Sequence, residues 1–333
     1  MIGIAIVGQG YMGRTHAQAW TDLGLSDAIR YVVAPGSRSW TDLAPGSRFT
    51  QALDDALLDP AVTIVSVCTP TPSHADIAVR ALQAGKHVLL EKPIALTLDD
   101  AHRIADAAAA AGSGLILMVA QVVRFFAGYE ALREVRDAGT IGEILSVRAA
   151  RSLATPQWAP WWPDESQSGG VATDFSIHDF DQANLFLGTP RAVTANRLSP
   201  EGPLETSIEY EAGGLAQVLS FPYLPQGSAF SCSIGLVGSR GLASYRMLSA
   251  APTEAADSTA DNVSEMVVST VGSLVRTEIP DNKPYTREVE YFLECVSGGR
   301  QPDRSSTASA IAALTVSVAT RKSLAVGTRV QIS

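Results

Sequence analysis

The hydrophobic pattern of the first hundred residues alternates between short apolar runs and longer amphipathic stretches. Gly3-Ile4-Ala5-Ile6-Val7 is apolar throughout, as a strand buried on both faces of a parallel sheet should be. Further runs at Ile29–Ala34, Val62–Val67, His87–Leu90 and Leu115–Val119 predict four more strands. Helices are predicted at Arg14–Leu23, Gln51–Leu58, Ala75–Ala84 and Thr97–Ala111. Ser73 and Thr97 are the expected N-caps, and Gly85 the expected C-cap. Strands alternating with helices this regularly imply an α/β fold with a doubly wound parallel sheet.

The pattern then changes. Phe126–Ala138 is helical and ends at Gly139, and Ile144–Arg151 alternates as a strand does. Thr206, Ile208 and Tyr210 alternate with Glu205, Ser207 and Glu209, which gives a sheet with one core face and one solvated or interface face. Leu215–Phe221, Ala229–Val237 and Leu242–Met247 continue in this style. The expectation is a second domain on a mostly antiparallel sheet. Ala250–Asn262 reads as a polar loop, and Tyr285–Ser297 and Ser305–Leu324 close the chain as helices. The expected division is 1–120 and 121–333, with the closing helices free to pack back on the first domain. The string APGSR occurs twice, at Ala34–Arg38 and Ala44–Arg48; two short copies imply no repeat architecture.

Composition narrows the function classes. The 333 residues are 46% hydrophobic and 18% charged, enough for a sizeable core. A net charge of −9 without basic runs argues against nucleic acid or an anionic membrane as partner. No signal-like stretch opens the sequence, and Leu115–Ala120 is too short to span a bilayer. Cys68, Cys232 and Cys295 fit no metal spacing. The expectation is a reduced, cytoplasmic protein without a metal site.

Chemistry enters at the end of the first strand. Gly8-Gln9-Gly10-Tyr11-Met12-Gly13 stands between a strand and a helix, the context that makes G-x-G-x-x-G a dinucleotide-binding pattern. Gly8 permits a tight turn, Gly10 lets backbone approach a pyrophosphate, and Gly13 lets helix pack on strand. NAD-specific folds place an acid after the second strand. Here Pro35-Gly36-Ser37-Arg38 follows, with no acid until Asp42, so Ser37 and Arg38 suit a 2′-phosphate and favour NADP(H), with NAD(H) the alternative. Lys92 ends a predicted strand, at the sheet edge where ligands of such folds bind. Asp174 and His178 are four apart and share a face if that stretch is helical. A carboxylate beside an imidazole fixes its tautomer. Trp158, Trp161 and Trp162 offer flat faces with N–H donors to a sugar ring, or inter-domain packing. His16, His74, His87 and His102 have no comparable partner pattern and read as packing, capping or surface residues.

Together these stretches resemble the glucose–fructose oxidoreductase/inositol dehydrogenase (Gfo/Idh/MocA) family. The likeness lies in GQGYMG, in Val65–Pro93 with its AGKH…EKP string, in Ala138–Ile144, in Gly169–Gly188 and in the closing helices. The resemblance implies a Rossmann domain followed by an α/β domain on an open, mostly antiparallel sheet that packs against a partner subunit. A homodimer, or a homotetramer, is therefore expected. It implies that Lys92 contacts the reacting oxygen, that His178 is the general acid/base, and that Asp174 pairs with it. Cofactor-facing positions carried over are the glycine loop, Thr69, Pro70, His74, Glu91 and Lys92. Arg124 matches an Arg-Phe motif, and Gln121 stands where relatives carry His or Asn; with Trp161 and Trp162 these are candidate substrate contacts. The implied activity is hydride transfer between nicotinamide and a secondary alcohol carbon of a sugar, cyclitol or related polyol. Lys92 as base, with its pKa lowered, is the other assignment of the proton. A glycosidase with tightly held NAD and no net redox, or a non-catalytic dinucleotide sensor, are the alternative readings.

Overall fold

A computed structural model describes residues 2–36, 40, 42–112, 114–157, 159–249 and 263–332. Ser37, Arg38, Trp158 and the 250–262 loop lie outside the described residues. The chain divides into two compact units, Met1–Phe125 with Lys283–Ile311, and Phe126–Asn282 with Ala312–Ser333.

The first unit alternates strands and helices: β1 (Ile4–Val7), α1 (Tyr11–Asp22), β2 (Ile29–Val33), β3 (Arg48–Thr50), α2 (Leu53–Leu57), β4 (Ile64–Val67), α3 (His74–Gln83), β5 (His87–Glu91), α4 (Leu98–Ala110) and β6 (Leu117–Ala120). The sheet order is β3-β2-β1-β4-β5-β6, with every described pairing parallel. β1 and β4 are buried at every position, which is why their sequences are apolar without alternation. The order reverses between β1 and β4, the switch point where such sheets bind ligands.

Two terminus expectations resolve differently. Thr97 caps α4 by accepting from the Asp100 N–H at 3.1 Å. Ser73 caps nothing: it lies in a 3-10 turn running into α3, and its Oγ donates to Thr69 Oγ1 and Pro70 O instead. β3 escapes the sequence reading because three residues are too few to show a period.

The second unit comprises α5 (Ala127–Asp137), β7 (Ile144–Ala154), α6 (Glu165–Ser168), α7 (Ile177–Leu187), β8 (Pro190–Asn196), β9 (Leu204–Tyr210), β10 (Leu215–Leu224), β11 (Phe230–Gly238), β12 (Gly241–Ser249), β13 (Val263–Thr270) and β14 (Ser273–Glu278). After α8 (Pro284–Gly298) and α9 (Thr307–Val326), β15 (Val330–Gln331) adds the last strand. α8 belongs to the first unit, where it packs on α1; α9 begins in the first and ends in the second.

The nine-stranded sheet runs β14-β13-β12-β11-β7-β10-β9-β8-β15. Only β7–β10 is parallel among its described pairings. Register aligns the two faces in rows. Tyr245, Ile234, Ala149, Val218 and Thr206 form one buried row. Met247, Cys232, Arg151, Ser220 and Leu204 form the next on the same face. Polar Arg151 and Ser220 in that second row break an otherwise apolar pattern, and both reach toward α7.

Candidate active site

In the first unit the glycine loop is shaped by steric necessity. Gly8 has φ +107°, and a Cβ there would meet the Cys68 carbonyl oxygen at 2.4 Å. A Cβ on Gly13 would stand 2.0 Å from Gly8 O, so α1 packs on the loop only because both are glycines. Nothing lies within 4 Å of a Cβ built on Gly10. α1 starts at Tyr11 with no side-chain cap and no acid in its first turn, leaving its positive end to an anion. Gln9 donates from Nε2 to Pro35 O at 2.8 Å, while its buried Oε1 has no partner. Tyr11 and Met12 are half-buried beside it. These residues fit a dinucleotide pyrophosphate.

Lys92 follows β5 directly and is half-buried. Its own N–H donates to Glu91 Oε2 at 3.1 Å. The other Glu91 oxygen meets His16 Nε2 at 2.8 Å, and His16 Nδ1 meets Ser66 Oγ at 2.7 Å. His16 is fully buried. Burial opposes its charge, but Cys68 and Glu91 outweigh burial and hold its pKa well above the ordinary value. His74 is buried between two backbone carbonyls, Thr69 O at 2.9 Å and Pro93 O at 2.8 Å. Burial pushes its pKa down. Its two ring nitrogens face the loop after β4 and the loop after β5. Thr69 is half-buried and Pro70 exposed on that first loop.

The sequence reading assigned no role to Glu288. It lies on α8, fully buried, with neither carboxyl oxygen hydrogen-bonded. Burial, reinforced by the Glu91 charge, raises its pKa well above the usual carboxyl range, against the pull of His16 and Arg304. His16 lies three residues past Gly13, on the same helix face as Trp20; a histidine on a buried face requires a partner, and that was the available signal.

Gln121 and Arg124 are buried. Arg124 Nη1 donates to Arg304 O at 2.7 Å, and Arg304 Nη2 donates back to Arg124 O at 2.6 Å. Ser309 Oγ lies 3.4 Å from Gln121 Oε1.

In the second unit, Val171–Phe175 forms a π-helical turn that runs into α7. Three buried side chains pin this segment from below. Thr173 Oγ1 meets Ser317 Oγ at 2.8 Å, Ser176 Oγ donates to Ser220 Oγ at 2.8 Å, and Asp179 takes Arg151 Nε and Nη2 at 2.9 Å each. Tyr129 OH accepts a further Arg151 N–H at 3.3 Å. Burial opposes the Arg151 charge, but Asp179 outweighs it and raises its pKa. Asp174 and His178, spaced between these pins, are half-buried. Asp174 Oδ2 accepts from Trp162 Nε1 at 2.7 Å. Trp162 is only 4% exposed, packed with Ala159, Val171, Ala172, Phe175, Ala195 and Leu204. The indole N–H that the sequence reading offered to a sugar ring is therefore donated to Asp174. Trp161 is half-buried. Among the described residues no group of three or more His, Cys, Asp or Glu could hold a metal ion, and no helix is long and apolar enough to cross a membrane.

Residues 2–121 match the oxidoreductase family with an NAD-binding Rossmann fold, and residues 129–244 match the GFO/IDH/MocA C-terminal domain. The chain belongs to the Gfo/Idh/MocA family. Its relatives include scyllo-inositol 2-dehydrogenase (NAD(+)) of Bacillus subtilis, 26% identical over 260 residues, covering 74% of this chain and 71% of the relative. Inositol 2-dehydrogenase of Rhizobium meliloti is 33% identical over 198 residues, 58% of each chain. The NADP(+)-dependent scyllo-inositol 2-dehydrogenase IolW of Bacillus subtilis is 28% identical over 167 residues, covering 50% of this chain and 46% of the relative. Among solved structures, GenD2 from gentamicin A biosynthesis in complex with NAD superposes with a TM-score of 0.80 at 27% identity, covering 100% of this chain and 96% of that one.

The buried carboxyl on α8 generates a pH-dependent prediction. A raised folded pKa means that folding takes up a proton. The contribution of Glu288 to stability is therefore fully present below its unfolded value, near 4.5, and is lost as pH rises through the folded value. Glu288→Gln should gain stability over the parent progressively above about pH 5, by at most about 1.4 kcal/mol per pH unit. Thermal unfolding of both proteins from about pH 5 to about pH 8 checks this; a difference independent of pH contradicts it.

Proposed function

We propose that this protein is an NADP-dependent oxidoreductase that transfers a hydride between nicotinamide and a secondary alcohol or ketone carbon of a sugar, cyclitol or related polyol. The observation that supports the reading is that Lys92 and His178 are both half-buried and each directly adjoins a residue of a buried ion pair. Glu91 pairs with His16 and accepts the Lys92 backbone N–H, and Asp179 pairs with Arg151. The dinucleotide, when bound, supplies the hydride acceptor or donor. Family membership and the named activities of the inositol dehydrogenases support the substrate class.

In the oxidising direction His178 takes the hydroxyl proton as general base. The Lys92 ammonium stabilises the negative charge that grows on that oxygen as the hydride leaves. Asp174 selects the imidazole tautomer and stabilises the imidazolium. The α1 N-terminus and the Gly8–Gly13 loop would hold the phosphates of the dinucleotide. Gly10, bare of side chain on its outer side, permits their close approach.

NADP is favoured because Ala34-Pro35-Gly36, directly after β2, presents no carboxylate to a ribose 2′-hydroxyl, and Ser37 and Arg38 follow. The first acid beyond, Asp42, is ion-paired with Arg14. The open sheet face supports a symmetric dimer. Leu242, Val237, Ser146 and Leu215 align across β12, β11, β7 and β10, and the three apolar residues among them stay more than two-fifths exposed. Such a row, shared by two copies about a twofold axis, buries its own complement. A cytoplasmic location accords with Cys68, Cys232 and Cys295 being buried free thiols.

Three measurements test these readings. Lys92→Ala should lower kcat by at least about a hundredfold, and His178→Ala similarly, with dinucleotide affinity little changed in either. Near-normal turnover of Lys92→Ala would overturn the mechanism. Arg38→Ala should weaken NADP binding by about 1.5–3 kcal/mol and leave NAD binding unchanged; a parent enzyme already preferring NAD more than about tenfold would refute the cofactor assignment. Sedimentation at micromolar concentration should give a dimer or a tetramer, and a monomer would count against the shared sheet face.

A further inference from the structure

Asp174 has two carboxylate oxygens, and the structure commits one of them. Trp162 Nε1 donates to Oδ2 at 2.7 Å, a short bond to a charged acceptor of the stronger kind. The donor is itself buried. The Trp162 ring lies in a buried apolar cluster and packs on Tyr223 with centroids 5.8 Å apart. Tyr223 OH accepts from Arg197 Nη2 at 2.9 Å, and the Arg197 guanidinium lies over the Tyr223 ring at 5.5 Å. Arg197 is tied in turn to Gly202 O at 3.2 Å and to Pro200 O. The bond to Asp174 therefore ends a chain of packed groups that starts in the 197–202 turn.

A carboxylate on a half-buried turn has several rotamers, and an imidazole partner alone does not choose between them. An indole N–H fixed in the core does. We propose that Trp162 is a positioning residue: it fixes the Asp174 rotamer, and through Asp174 it sets the tautomer of His178. It acts without touching substrate, since its N–H is committed and its ring is buried. This inference rests on the reading of Asp174 as the partner of His178 and deepens it.

The test uses the full-length, ligand-free protein and no turnover, so failure of the dehydrogenase reading in a kinetic assay is separately visible. The Trp162 indole proton is assigned in a nitrogen–proton spectrum by its absence from Trp162→Phe. It should exchange slowly in the parent protein and lose that protection in Asp174→Ala. The His178 ring-nitrogen shifts, read where the ring is neutral, should report one tautomer in the parent and a mixture in Trp162→Phe. The mixture in Asp174→Ala should not change further when Trp162→Phe is added, because the two residues act in series. If Trp162→Phe fails to fold, the proton is assigned by its proximity to the Tyr223 ring, and Asp174→Ala carries the test alone. Unchanged protection of the indole proton in Asp174→Ala, or an unchanged single tautomer in Trp162→Phe, overturns the proposal.

Discussion

The second unit depends on one buried charge. Arg151 projects from β7 on the core face of the sheet, where a guanidinium is tolerated only if fully paired. Asp179 supplies both oxygens. Removing that carboxylate would leave an uncompensated buried cation, a change that costs about 3–5 kcal/mol. The first turn of α7 thus has one place to sit. With Ser176 on Ser220 and Thr173 on Ser317, the turn before it is fixed as well. Asp174 and His178 emerge between these pins, and Asp174 is held further by the Trp162 indole N–H.

The first unit uses the same device in a different fold. Glu91 is the last residue of β5, and Lys92 is the next. The Glu91 side chain turns inward to His16, while its second oxygen receives the Lys92 N–H. In each unit a buried acid next in sequence to Lys92 or His178 is held by a buried base from a neighbouring element. Both acids cost desolvation and contribute precision. The buried, unbonded carboxyl of Glu288 is electrostatically coupled to Glu91 and His16 and belongs to this polar cluster.

The strands of both sheets were legible where a period or an apolar run was long enough. β1 and β4 declared themselves as buried runs, and β9 as strict alternation. β3 and β15 are too short to carry a period, and β14, the strand at the sheet edge, and its neighbour β13 have no buried position and carry little hydrophobic signal. The glycine loop was legible from its motif between strand and helix: Gly8 and Gly13 each answer to a clash with backbone, while the space beside Gly10 is open. Lys92, Asp174 and His178 were singled out by spacing and by resemblance. The groups beneath them were not: Arg151, Ser220 and Glu288 are polar residues at positions the hydrophobic period marks as core. Such exceptions to the pattern become informative only once the partner across the fold is known. The tryptophans show the opposite failure. Their type suggested a ligand, but burial of Trp162 shows that its N–H serves Asp174.

On the proposed reading, a hydride leaves an alcohol carbon and a proton leaves the oxygen bonded to it. The direct measurement is net reduction of free dinucleotide. The purified protein is incubated with a panel of sugars and cyclitols and with NADP⁺ or NAD⁺ in excess, and the absorbance of the reduced nicotinamide is followed. Polyol-dependent accumulation of reduced NADP⁺ far beyond one equivalent per chain is the predicted result. Conversion of a sugar without accumulation of reduced cofactor, or dinucleotide binding without reduction by any polyol, would contradict it.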